Sequence, residues 1–147
     1  MKKLLVLLFS ILLLSSSSVF AQEDLSKVNI NNLKRLSSNE IIDAFNNIRS
    51  EGYFSREIYE IDNFKFTEFT YANGDFDHFN EFVSVSGKWK VYDNKICLKA
   101  TKNPLTGPEK MFTCALVYSG VKKGEYYFYQ TGLGVYAKTY AVITLIE

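Results

Sequence analysis

Apolar and polar positions along this chain fall into successive regimes: an apolar run interrupted only by Ser10, a mixed polar stretch, a short helical period, and then a long region of strand-like alternation. The helical period begins at Ser37-Ser38-Asn39-Glu40, where a serine followed three residues later by a glutamate forms a capping-box pattern. Behind it Ile41, Ile42, Phe45 and Ile48 recur at helical spacing and leave Glu40, Asp43, Asn46 and Asn47 towards water. Gly52 is expected to stop this helix after about three turns, a length that is marginal in isolation. Its apolar stripe is therefore expected to lie on whatever follows.

From Tyr53 onward the residues are those of strands, rich in Phe, Tyr, Val, Ile and Thr and divided by short polar pairs. Asp62-Asn63 divides Arg56–Ile61 from Phe64–Tyr71, and Asn73-Gly74, the strongest hairpin signal, precedes Phe76–Val85. Asp93-Asn94 falls between Lys88–Tyr92 and Lys95–Ala100. Turns this tight make neighbouring strands antiparallel, because parallel pairs need crossovers of about a dozen residues. The stretch Thr101–Lys110 holds Pro104, Gly107 and Pro108 and reads as a loop. Met111–Ser119, Tyr126–Gln130 and Val135–Ile146 complete the set, with Gly120–Gly124 as a turn and Gly132 and Gly134 as bends. The last run is apolar on both faces, as in a strand that is covered on both sides or closes a barrel. The expected architecture is mainly β: one short N-terminal helix packed on an antiparallel meander of about seven or eight strands, forming a curled sheet or small barrel.

The opening run changes the setting of this domain. Lys2 and Lys3, the apolar stretch Leu4–Leu14 and the close Val19-Phe20-Ala21 have the three parts of a secretory leader, with cleavage expected after Ala21. A permanent span would need about 20 apolar residues, so no stable membrane span is expected once the leader is gone. Residue 22 is Gln22, not the cysteine a lipid-anchored product would carry. The organisation is thus a signal peptide over residues 1–21, a polar lead-in over 22–35 and a single domain over 36–147, working in the periplasm or outside the cell. The whole chain has 17 basic and 16 acidic side chains. These charges are interspersed along the sequence, with Lys34-Arg35 and Lys122-Lys123 as small exposed pairs, so no nucleic-acid partner is expected.

Cys97 and Cys114 are the only cysteines. An even count in a small exported domain favours a disulfide. Metal binding is the weaker alternative, since there is no C-x-x-C spacing and His78 is the one histidine. If the strands flanking the proline loop are neighbours, the two sulfurs meet across them in a single register.

Candidate chemistry is sparse. The segment Asp75-Phe76-Asp77-His78-Phe79-Asn80-Glu81 places Asp75, Asp77 and Glu81 on one side of a strand and His78 on the other, and is best read as a solvated face. No G-x-S-x-G elbow is present, and Thr131-Gly132-Leu133-Gly134 precedes a strand pattern where a phosphate cradle needs a helix start. No catalytic residue, metal or cofactor is expected. The aromatic load, 12 Phe, 10 Tyr and one Trp, is mostly core, with Trp89, Tyr126, Tyr127, Phe128 and Tyr129 as candidates for an interaction surface or ligand lining.

The order of the pieces also resembles a family of small exported bacterial proteins of unknown function. The likeness rests on Leu36-Ser37-Ser38-Asn39-Glu40-Ile41-Ile42, Asn73-Gly74, and Gly87-Lys88-Trp89-Lys90-Val91 running into Ile96-Cys97, with Cys114 before Gly124-Glu125-Tyr126-Tyr127-Phe128. It covers about residues 36–147; the acid-rich third strand and the proline loop are more elaborate than the family pattern. It implies a bacterial envelope protein whose two cysteines are partners, and it carries over no catalytic residue. The expected function is a non-enzymatic binding or interaction module for an envelope protein. The alternatives are a lipocalin-like carrier of a small apolar ligand, lined by Trp89 and the Tyr126–Tyr129 strand, and an inhibitor of an exported enzyme such as lysozyme, using Thr101–Lys110 as a wedge.

Overall fold

The computed structural model describes residues 28–56, 61–130 and 139–146, so the leader and the glycine bends at 132 and 134 lie outside the described residues. A two-residue strand β1 (Lys34–Arg35) leads into helix α1 (Ser38–Phe45). The strands β2 (Ile48–Arg56), β3 (Ile61–Thr70), β4 (Asp75–Asn80) and β5 (Ser84–Tyr92) follow. They continue as β6 (Lys95–Lys102), β7 (Thr113–Ser119), β8 (Glu125–Gln130) and β9 (Thr139–Ile146). From β2 onward each strand pairs antiparallel with the next, and β9 pairs back on β2, so the sheet curls into a barrel-like wall. Among the described residues no helix is long and apolar enough to cross a membrane.

The helix starts where the capping box predicts. Ser37 accepts from the Glu40 N–H and Glu40 accepts from the Ser37 N–H at 2.8 Å, satisfying two otherwise orphaned donors. It ends sooner than Gly52. Asn47 takes a left-handed backbone (φ 58°) and breaks the helix after Phe45, so Ile48 and Gly52 belong to β2 instead. Asparagine tolerates that conformation better than most residues, and the sheet offers the segment a full ladder with β3 on one side and β9 on the other.

Two further boundaries differ from the sequence reading. Asp62-Asn63 lies inside β3, not at a turn. Phe76–Val85 is broken at Asn80, whose side chain accepts from the Phe82 and Val83 N–H groups at 2.9 Å and closes the β4–β5 turn. Gly87 then lies inside β5, where a Cβ would stand 2.2 Å from the Lys99 carbonyl oxygen and 2.5 Å from the Phe76 ring. Asp93-Asn94 and Asn73-Gly74 turn as expected, with positive φ at Asp93, Asn94 and Gly74.

Alternation assigns each strand an inner and an outer face. The inner face and the helix build one core from Leu36, Ile41, Phe45, Phe66, Phe76, Trp89, Ile96, Ala115 and Val117. Phe45 meets Tyr126 and Phe128 edge-on, with ring centres 5.0 and 5.4 Å away. Its carbonyl accepts from the Thr70 hydroxyl, and the helix start is bonded to the β5–β6 turn through Ser38 and Asn94. The helix thus fills the end of the sheet marked by the turns at 71–74, 93–94 and 120–124. The loops at 81–83 and 103–112 lie at the other end. Outside, Val28, Ile30 and Leu33 pack with Tyr118 over Tyr127, so residues 28–35 are part of the same body.

Cys97 and Cys114 are direct partners on β6 and β7 and form the disulfide, across a sequence separation of 17. A loop of this size is stabilised by about 3 kcal/mol when crosslinked. Reduction, or the C97A/C114A variant, is expected to lower the unfolding free energy by about that amount in urea titrations; an unchanged midpoint would show that the crosslink contributes nothing.

A second outcome follows from the cap. The Lys34 ammonium bonded to Glu40, with help from Ser37, pulls that carboxyl from 4.5 down to about 2. The unfolded chain therefore takes up the proton first as pH falls, and the stabilisation, complete above 4.5, disappears towards pH 2. The stability difference between the wild type and Glu40→Gln should be largest near neutrality and shrink across that window. A difference that stays constant down to pH 2 would contradict the ion pair.

Candidate functional site

The five aromatic residues singled out in the sequence do not form one surface. Trp89, Tyr126 and Phe128 face inward against the helix, and the Trp89 indole N–H donates to the Tyr71 carbonyl at 2.8 Å. Tyr127 faces outward but is covered by the lead-in, and Tyr129 sits beside Leu116 on that outer face. At the helix end the space inside the sheet is taken up by Phe45, Trp89 and their neighbours.

The acid-rich segment divides as alternation requires, except that Glu81 falls in the turn after β4. Asp75 faces out and pairs with Lys88, which lowers its pKa. Asp77 accepts from the Tyr71 hydroxyl at 3.0 Å and from Ser86 at 2.5 Å; the bond to Asp77 raises the Tyr71 pKa. These are partnered surface groups. Among the described residues no cluster of three or more His, Cys, Asp or Glu side chains could hold a metal ion.

His78 faces the interior, and there the structure makes a pairing that the sequence reading missed. Its Nδ1 lies 3.1 Å from Glu68 Oε2, its ring stacks on Phe66 at 5.1 Å, and Glu68 is only 7% exposed. The two residues are cross-strand partners in the β3–β4 hairpin, a register that follows from Asn73-Gly74 once the turn is centred there. A carboxylate inside an apolar wall needs such a partner. The pair fixes the interior hairpin face and commits the only imidazole of the chain to an internal contact.

The other assembly of interest is the loop at 103–112. Asn103 Oδ1 accepts from the Leu105 and Thr106 N–H groups at 3.0 and 3.3 Å, and the Asn103 carbonyl accepts from Gly107 at 2.8 Å. Gly107 takes a positive φ of 75°, the conformation glycine supplies without strain. Glu109 ties the returning limb to Ala100 by two bonds of 2.8 Å, one from each backbone N–H. The result is a pinned loop that holds two large apolar side chains in water: Leu105 is 70% and Met111 79% exposed. Phe82, on the neighbouring loop at the same end, is 63% exposed. The prolines and Gly107 announced a loop, but only the side-chain bonds of Asn103 and Glu109 show that it is ordered.

No protein family, curated protein or solved structure matches this chain.

The internal pair gives a direct test. His78→Leu strands the Glu68 carboxylate in the interior and is expected to cost about 1–3 kcal/mol. The double variant Glu68→Leu/His78→Leu should recover most of that loss, since both polar groups are then gone. Equal stability of wild type and the single variant would show that the pairing is immaterial to the fold.

Proposed function

We propose that this protein is a non-enzymatic, exported bacterial envelope module that binds a protein partner through its loop end. The observation that carries the reading is the hydrogen-bonded loop 103–112 holding Leu105 and Met111 in water. Exposed large apolar side chains on an ordered loop lose little entropy on binding and suit the centre of an interface. Export is supported by the leader-like residues 1–21 and by the disulfide, which is typical of oxidising compartments. The non-enzymatic reading draws on the commitments of the reactive groups: both sulfurs are joined and the one imidazole is paired with Glu68. An inhibitor of an exported enzyme, with the loop as a wedge, is one form that such a module takes. A carrier of an apolar ligand finds less support, because the aromatic residues chosen as its lining pack on the helix or face outward.

The test compares baits in an envelope extract. Wild-type protein and a helix-end control, Val121→Asp, should capture the same partner, whereas Leu105→Asp/Met111→Asp should lose it by about tenfold or more. Quantitative mass spectrometry of the retained proteins reads the result, and equal capture by all three baits would refute a loop-end interface.

A further inference from the structure

The topology gathers on one face lysines that the sequence keeps apart. Outward positions of β5 and β6 carry Lys88, Lys90, Lys95 and Lys99, with Lys102 beside Ser86 at the end of β6. Lys88 and Lys99 are direct cross-strand partners, an arrangement of like charges that costs stability. Acidic compensation is partial. Lys88 pairs with Asp75, and Lys95 lies 3.5 Å from Asp93, but among the described residues neither Lys90 nor Lys99 forms an ion pair. Instead the Lys90 ammonium stands 4.2 Å from the centre of the Phe112 ring, with Lys99 over the same ring at 5.9 Å. The exposed Tyr92 lies 5.9 Å from Lys90 on the other side. The adjacent outward positions of β7, Cys114, Leu116 and Tyr118, carry no charge.

We propose that this outer face of β5 and β6 docks on a phospholipid bilayer bearing anionic headgroups. Charge complementarity argues for an anionic partner. Its form follows from the layout: side chains on one face of a strand repeat every ~7 Å and strands lie ~4.8 Å apart, so the lysines are spread over the outer face of two strands. A single phosphate would need convergent donors. A plane of headgroups meets a spread of ammonium groups, while rings such as Tyr92 and Phe112 are at home at the boundary between apolar and wet surroundings. Phe112 belongs to the loop 103–112, so this face and the loop end are neighbours.

The experiment is co-sedimentation of the full disulfide-bonded protein with vesicles. Equal parts of phosphatidylglycerol and phosphatidylcholine should bind it, phosphatidylcholine alone should not, and added salt should weaken binding. Each lysine near an anionic surface contributes about a fivefold gain in affinity, so Lys90→Ala/Lys99→Ala should weaken binding by about 25-fold. Lys122→Ala/Lys123→Ala, on a turn away from the face, should leave it unchanged. The proposal is overturned by equal sedimentation with both vesicle types, by no sedimentation with either, or by an unaltered Lys90→Ala/Lys99→Ala variant. Displacement from vesicles by millimolar inorganic phosphate would identify a free-anion site instead, and binding of polyglutamate without binding of vesicles would identify an acidic polypeptide partner.

Discussion

Register is the constraint on which this structure depends. Side chains on a strand alternate, so a slip of β7 by one residue against β6 would carry Ala115 and Val117 to the outside and bring Cys114 and Leu116 in. The bond between Cys97 and Cys114 joins residues that face each other directly and is compatible with one alignment only. It sits where pinning matters most, beside the loop whose length would otherwise leave the return strand free to slide.

Given that register, the rest of the architecture has a consistent logic. The inner face is apolar enough to receive a helix too short to stand alone, and Phe45 joins that helix to β8 through Tyr126 and Phe128. Cap, turn and strand reinforce one another at this end, since Ser38 reaches Asn94 while the Leu36 N–H donates to the Val117 carbonyl. Phe45, Trp89 and their neighbours fill the helix end of the interior, while Leu105 and Met111 at the loop end and Lys88 and Lys90 on the outer wall stay exposed. The loop end offers apolar tips on a hydrogen-bonded frame, and the wall offers ammonium groups and rings.

The sequence disclosed the elements that local chemistry decides. Ser37 and Glu40 marked the helix start, Asn73-Gly74 and Asp93-Asn94 marked turns, and the prolines marked the long loop. What it concealed was decided by partners remote in sequence. Ile48 continues the helical spacing of Ile41 and Phe45, yet Asn47 turns it into a ladder between β3 and β9 that no local pattern describes. Asp62-Asn63 has turn composition but lies at an irregularity inside β3, between the Ile61–Arg56 and Phe64–Phe54 pairs with β2. Charge shows the same limit. Lysines spaced through β5 and β6 read as interspersed, and become a single patch only when two strands are laid side by side. The candidate aromatic set failed to converge for the same reason, because Tyr126 and Phe128 point opposite to Tyr127 and Tyr129 on one strand.

A crosslink that sets the register, an inward helix and a proposed role for the outward surfaces form one account, and its first term is chemical. Peptide mapping of protein isolated from its native source, alkylated before digestion and kept free of reductant, addresses that term directly. The account predicts a single linked species joining the peptides that contain Cys97 and Cys114, with no alkylated thiol at either. Recovery of both cysteines in alkylated form from folded protein would contradict it.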